Sequence, residues 1–141
     1  SSSTRWIDHK MRAMAKLNDK FGMYVSHLEN VIADTSKQVD RAKLQGKYNK
    51  LVDASVLLRS AFLSDLLLPA KSLSIISQKS DVDIIQVVNS VQITQNKYRR
   101  WQKKFADDKD EVLNLPTLKS LLENIEDGDK FQGAKLKNFS R

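Results

Sequence analysis

One long apolar stretch, from Leu51 to Lys79, constrains the fold of this chain more than any other feature. Leucine, isoleucine, valine and phenylalanine recur there at helical spacing, and the middle of the stretch carries almost no charge. The apolar positions cover so much of the helix circumference that a single neighbour would leave many of them exposed. We therefore expect a central helix surrounded by other helices, supplied by this chain or by a larger protein.

Three further amphipathic patterns supply candidate neighbours, over residues 5–33, 81–106 and 115–127. The central helix is predicted to run over residues 36–79. Pro69 lies deep in it and removes one helical hydrogen bond, so we expect a kink there rather than a loop. Gly22 lies inside the first pattern, where it indicates local mobility or close packing. The sequence thus predicts an all-α fold, an antiparallel bundle of about four helices with a long, Pro-kinked central helix.

The 141 residues fit one domain, and the patterns place that domain over residues 1–128. Gly128 is a natural stop for the last helix. The tail over residues 129–141 holds apolar side chains but is too short to pair with anything, so we expect it to lead into a missing downstream element. Both ends have the character of a segment cut from a larger protein.

The chain is basic, with a net charge of +7 and an isoelectric point near 9.6. This balance favours an anionic partner, nucleic acid first, although excess lysine that only keeps a helical surface soluble is the alternative. The sequence has no cysteine, and its two histidines are too far apart for a helical pair, so we expect no metal, cofactor or small-molecule ligand. No apolar run reaches the roughly 18 residues of a membrane span and no signal peptide is present, so a soluble intracellular protein is expected.

Three sequence blocks resemble the hAT superfamily of transposases. Thr4-Arg5-Trp6 is similar to the TRW motif at the entrance to the helical insertion of their RNase H-like domain. The continuation into Ile7-Asp8-His9, with YVSHLEN at 24–30, resembles a domesticated branch found in vertebrate zinc-finger proteins. The third block is FLSDLL at 62–67, followed by Leu73-Ser74 and Gln78. The resemblance covers most of the chain up to about Gln102.

The resemblance implies a nuclear, transposase-derived protein. Its metal-binding carboxylates would lie outside this segment, two Asp upstream of the TRW motif and one Glu downstream. Trp6 matches a tryptophan that stabilises a base displaced from hairpin DNA in active members, and stacking gives that role a physical basis. The alternative is that Trp6 is an apolar anchor for the first helix. The sequence holds no phosphate-binding loop, dinucleotide fingerprint or catalytic dyad, so we predict that this segment is not an enzyme.

The sharpest nucleic-acid signal is a basic and aromatic cluster near the end of the 81–106 helix. Cations neutralise phosphates, and interleaved aromatic rings can stack on bases. The predicted DNA-contacting residues are Trp6, Lys97, Arg99, Arg100, Lys103 and Lys104. Tyr98, Trp101 and Phe105 share one side of the helix, an arrangement that suits core aromatics with a solvated cationic rim equally well. The acidic run over 107–111 also cancels much of the local field.

Asp65 is the one candidate for a buried carboxylate, because it lies inside the apolar stretch. Catalysis would need a second carboxylate at helical spacing, and the sequence offers none. We therefore predict that Asp65 pairs with Arg59, Lys71 or a basic residue of another helix.

These observations predict a non-catalytic helical segment of a hAT-transposase-derived nuclear protein, which supports DNA or chromatin association or self-assembly. Two alternatives stay open. One is part of an active DNA transposase whose catalytic carboxylates lie elsewhere. The other is a protein-interaction module, unrelated to transposons, that recruits partners through the exposed face of 5–33. The expected partners are DNA, a second copy of the chain, or the remainder of a larger parent protein.

Overall fold

The computed structural model describes the backbone of residues 2–140 and the side chains of residues 5–140. The α-helices are α1 (Ser2–Asp19), α2 (Phe21–Asp34), α3 (Gln38–Leu51), α4 (Ala54–Ser77), α5 (Ile84–Asp107) and α6 (Pro116–Glu123). A 3-10 helix, Lys109–Asn114, joins α5 to α6, and the antiparallel strands β1 (Lys130–Phe131) and β2 (Ala134–Lys135) form a small hairpin. The predicted all-α class is confirmed.

Helix α4 lies at the centre of the fold, as its apolar sequence predicts. It packs against α1, α5 and α6. The helix continues through the buried Pro69, so no loop interrupts it there. The hydroxyl of Tyr98 on α5 donates a 2.6 Å hydrogen bond to the carbonyl of Leu66, one turn before the proline.

The prediction of one helix over 36–79 is wrong, because the chain breaks at Val52 and Asp53. Asp53 is extended and caps α4, and its carboxylate accepts hydrogen bonds from the Ser55 amide at 2.9 Å and the Ser55 hydroxyl at 2.7 Å. These local bonds replace the helical bonds that a continuous helix would have there. The apolar spacing runs across this junction without interruption, so periodicity alone does not reveal it.

The pattern over 5–33 also forms two helices, which separate at Lys20. Gln132 holds this junction together. Its side-chain nitrogen donates to the carbonyls of Asn18 at 2.8 Å and Asp19 at 3.1 Å, and its side-chain oxygen accepts from the Gly22 amide at 2.9 Å. A Cβ at residue 22 would lie 2.5 Å from the Gln132 carbonyl oxygen. Of the two interpretations of Gly22, close packing is confirmed.

The segment after Gly128 pairs within the chain, contrary to the expectation that it has nothing to pair with. Phe131 and Leu136 are buried in the core, and the Phe131 ring lies 5.4 Å from that of Phe21. Lys137 donates to the Val52 carbonyl at 2.8 Å and accepts from the Ala54 amide at 2.9 Å. The hairpin therefore packs against α2 and bonds to the α3–α4 junction, partners that lie at least 80 residues away in sequence.

The remaining boundaries differ from prediction by a few residues. Asp83 caps α5, so that helix begins at Ile84 instead of residue 81. The acidic connector after α5 forms the 3-10 helix, and the Asp108 carboxylate accepts a hydrogen bond from the amide of its second residue, Asp110, at 2.9 Å. Helix α6 ends at Glu123, several residues before Gly128, which adopts a left-handed φ of 78° in the turn that precedes β1.

The core lies at one end of the bundle, around the N-terminal half of α4. Its buried apolar residues are Phe21, Val25, Val52, Ala54, Leu57, Ala61, Leu115, Leu118, Leu121, Ile125, Phe131 and Leu136. Helix α5 contributes no fully buried residue and covers α4 from one side only. This peripheral position leaves most of the α5 circumference open to solvent.

Candidate nucleic-acid interface

The aromatic residues of the basic cluster face the interior of the bundle. Tyr98, Trp101 and Phe105 are half-buried, and Trp101 and Phe105 pack against the core. The Tyr98 and Trp101 rings meet edge to face with centroids 5.7 Å apart, and the Trp101 and Phe105 rings stack at 6.4 Å. These contacts hold the three rings against one another and against the core. The cluster therefore has core aromatics with a cationic rim, one of the two arrangements expected from the sequence.

Tyr98 ties α5 to α4 through its hydroxyl as well as its ring. Burial raises the pKa of this tyrosine above its ordinary value, and the nearby Ala70 amide opposes that rise. The hydroxyl thus stays protonated and donates to the Leu66 carbonyl. This bond fixes the rotation of α5 about its axis, and with it the direction in which the cations project.

The predicted cations are all exposed, but they differ in how far their charges are compensated. Lys104 forms a 2.8 Å ion pair with Glu111 of the 3-10 helix. The Lys104 ammonium, with help from the Asn114 side chain, lowers the pKa of the Glu111 carboxyl below its ordinary value. Lys97 lies 5.3 Å from the centre of the Trp101 ring, in cation–π geometry. These two lysines therefore have partners within the chain.

Arg99, Arg100 and Lys103 form the remaining group, which we call the α5 cationic face. Successive residues of a helix are rotated by about 100°, so these three side chains leave α5 on the side opposite Tyr98, Trp101 and Phe105. Within residues 5–140, no carboxylate lies within ion-pair distance of any of the three. The α5 cationic face is therefore an uncompensated positive surface that is rigidly held by α4.

Trp6 lies on α1 and is 52% exposed. It is not among the residues that pack against the core. Both α1 and α5 pack against α4, yet in the described part of the chain no hydrogen bond, ion pair or ring contact joins Trp6 to the cations of α5. The structure thus places the predicted site residues in two separate groups.

A second cationic cluster, between α1 and α4, was missed by the sequence reasoning. Asp8 pairs with Arg12 at 2.8 Å and with Lys71 of α4 at 3.3 Å, and Arg5 lines the same small cleft of about 190 Å³. Two cations therefore pair with one carboxylate, and a third lines the same cleft. The spacing of Asp8 and Arg12 is visible in the sequence, but nothing in it indicates that Lys71 joins them.

Asp65 is buried, as predicted, but its predicted partners are wrong. Its carboxylate accepts 3.0 Å hydrogen bonds from the amides of Thr117 and Leu118, the first turn of α6. Helix α6 is preceded by Leu115, which has no side-chain group to cap it. Asp65 therefore caps a helix 52 residues away, where the positive end of the helix dipole favours its charge.

An apolar groove of about 720 Å³ lies between α4, the 3-10 helix and α6, and is open to solvent along one side. Its lining includes Leu58, Phe62, Leu118 and Leu122, together with Arg59 of α4 and Glu123 of α6. The sequence patterns assigned these apolar residues to the core, so they gave no indication of a groove.

Residues 5–140 contain no cluster of histidine, aspartate or glutamate suited to holding a metal ion. None of the described helices is both long enough and apolar enough to cross a bilayer. Comparisons of the chain with protein-family models, with curated proteins and with solved structures find no match.

Proposed function

We propose that this chain is a non-catalytic helical module of a nuclear protein derived from a hAT-superfamily transposase, and that it associates with DNA by contacting the phosphate backbone. The observation that supports the DNA contact is the α5 cationic face. Arg99, Arg100 and Lys103 project together, and the aromatic residues that separate them in sequence are turned into the bundle.

The expected mode of binding is electrostatic and independent of DNA sequence. Tyr98, Trp101 and Phe105 are engaged inside the bundle, so they do not stack on bases, and the guanidinium and ammonium groups supply the contact. Lys104 and Lys97 contribute less, because their charges are already partnered by Glu111 and the Trp101 ring.

The test is a titration of the chain with duplex DNA at about 50 and 200 mM salt. Neutralising three phosphates gives a slope of log affinity against log salt of about −2.7. The double variant Arg99→Ala/Arg100→Ala is expected to make that slope shallower by about 2.

The matched control is Lys43→Ala/Lys47→Ala, which removes the same charge from exposed positions on α3. This variant is expected to keep nearly the wild-type slope. An equal change in the salt slope for both variants would show that net charge alone governs DNA binding. That result would overturn the proposal that the α5 cationic face is the contact surface. Absence of salt-dependent binding in the wild-type chain would overturn the DNA proposal.

The transposase origin rests on the three sequence blocks and is tested separately. The coding sequence on both sides of this segment tests the transposase origin. Remnants of an RNase H-like domain on either side support the origin. Intact Asp, Asp and Glu at the catalytic positions of such a domain would favour the active-enzyme alternative, and unrelated flanking sequence would contradict the origin.

A further inference from the structure

The first half of α5 carries no charged residue. Residues 84–96 contain no Asp, Glu, Lys, Arg or His, whereas residues 97–104 contain five cations. A helix on the surface of a protein ordinarily carries charges on its solvent face. Their absence over more than three turns marks this half of α5 as a different kind of surface from the cationic half.

This uncharged half also exposes large apolar side chains. The exposed fractions are 78% for Ile84, 67% for Ile85, 56% for Val88 and 69% for Ile93. Single exposed apolar residues are common, but a group of them on one element marks an interaction surface. Val87 and Val91 are half-buried on the side that faces α4. Ile84, in the first turn, lies within about 20° of Val91 round the helix, whereas Ile85, Val88 and Ile93 are rotated from it by about 60° to 160° and form the solvent side.

We propose that the uncharged half of α5 is a dimerisation surface that packs antiparallel against the same helix of a second copy. Five exposed amide side chains stand among its apolar residues, those of Gln86, Asn89, Gln92, Gln95 and Asn96. An amide both donates and accepts hydrogen bonds, so it can pair with its own copy, which a carboxylate or an ammonium group cannot do. A surface for a charged partner would carry complementary charge, and this one carries none.

The distribution of charge along α5 selects the antiparallel orientation. In a parallel pair the two sets of five cations would lie side by side and repel. A two-fold axis near residue 90 superimposes the uncharged halves and sends the cationic halves to opposite ends. With a rise of 1.5 Å per residue, the two copies of Trp101 would lie about 33 Å apart along the axis. This separation exceeds the Debye length of about 10 Å at 0.1 M salt, so the cationic ends do not oppose dimerisation.

Sedimentation equilibrium of the intact chain tests the proposal. The wild-type protein is expected to approach twice its monomer mass of 16.1 kDa as its concentration rises. The double variant Ile85→Glu/Val88→Glu places carboxylates at the centre of the contact and is expected to weaken the dimer at least a hundredfold. The milder variant Gln92→Glu changes only an exposed polar side chain and is expected to weaken it about tenfold, which corresponds to about 1.4 kcal/mol.

The control for charge and exposure is Val39→Glu on α3, because Val39 is 68% exposed and lies outside the proposed surface. This variant is expected to dimerise like the wild type, and far-UV circular dichroism checks that each variant keeps its helices. If the wild-type chain stays monomeric, the proposal is overturned. The uncharged half of α5 would then bind a different partner. A dimer that tolerates both the double variant and Gln92→Glu would overturn it as well.

The orientation has its own test, because the chain contains no native cysteine. Under mild oxidation Asn89→Cys, near the proposed axis, is expected to form a disulfide between copies. Gln102→Cys is expected to remain reduced, since its two copies would lie about 36 Å apart along the helices. The reverse result would overturn the antiparallel arrangement. The proposal does not depend on DNA binding, so either can fail without the other.

Discussion

Asp65 joins two helices through one carboxylate. Pro116, the first residue of α6, has no amide hydrogen, and Leu115 before it has no capping group. The two amides that follow would therefore be unpaired near the core if Asp65 did not accept from them. The apolar sequence around Asp65 shows that it is buried, but the partner that makes its burial stable comes from the last helix of the chain.

Replacing Asp65 by alanine is expected to lower the free energy of unfolding by about 2 to 4 kcal/mol, because two amides lose their only acceptor and α6 loses its cap. Asp65→Asn is expected to cost less, since the amide oxygen retains one acceptor. Urea denaturation measures both. Asp81→Ala, in the exposed loop between α4 and α5, is the control and is expected to change stability by less than about 0.5 kcal/mol. An Asp65→Ala variant as stable as that control would contradict the capping role.

The two helical glycines differ in position and in surroundings, since Gly22 is the second residue of α2 and Gly46 lies inside α3, so alanine is expected to have opposite effects on them. At Gly46 no atom lies within 4 Å of an added Cβ, and alanine is expected to stabilise the protein by about 0.8 kcal/mol through helix propensity. At Gly22 the Cβ meets the Gln132 carbonyl, so alanine is expected to destabilise it by about 1 to 3 kcal/mol. Thermal unfolding measures both, and equal shifts in the same direction would refute the close approach of α2 and the hairpin.

At the scale of elements, the junction between α3 and α4 depends on an ionised side chain. The pKa of the Asp53 carboxyl lies below its ordinary 3.8, chiefly because it accepts from the Ser55 hydroxyl and amide, and also from the Asn138 side chain. Asn138 follows β2, so the same carboxylate caps α4 and binds the chain beyond the hairpin.

A carboxyl with a lowered pKa in the folded state stabilises that state above the pKa it has when unfolded. The contribution of Asp53 is therefore expected to be complete at neutral pH, to decline below its ordinary pKa of 3.8, and to vanish once the pH passes below its folded-state pKa. The measurement is the free energy of unfolding from pH 2 to 7 for the wild type and for Asp53→Asn. Their difference is expected to shrink at acidic pH, and Asp81→Asn serves as the control. If the difference in the free energy of unfolding does not vary with pH, the ionised Asp53 carboxylate does not stabilise the start of α4.

At the scale of the whole molecule, the sequence predicted the structural features that depend on the spacing of residues within one helix. The apolar circumference of α4 indicated a central helix with neighbours, and α1, α5 and α6 supply them. The side of α5 that carries Tyr98, Trp101 and Phe105 also followed from spacing alone. By contrast, the break before Ala54 is held by Lys137 as well as by the local Asp53 cap, and the close approach at Gly22 involves Gln132. Periodicity within a short window does not contain such distant partners.

The candidate site shows the same division between local and distant information. The cations of α5 could be named from the sequence, and the acidic run after them indicated partial cancellation. That Glu111 pairs with Lys104, while Arg99, Arg100 and Lys103 have no carboxylate at ion-pair distance among residues 5–140, depends on the 3-10 turn that brings Glu111 back towards α5. The ion pairs of Asp8 depend in the same way on Lys71, a residue of another helix.

The hairpin also dictates when this protein can fold during its synthesis. Phe21 and Val25 leave the ribosome early, yet the Phe131 and Leu136 side chains that complete their surroundings are added more than 100 residues later. At a translation rate of about 5 to 20 residues per second, the first apolar groups wait roughly 5 to 20 seconds for their partners. Until then Phe21 and Val25 lack two of the core partners that the folded chain gives them.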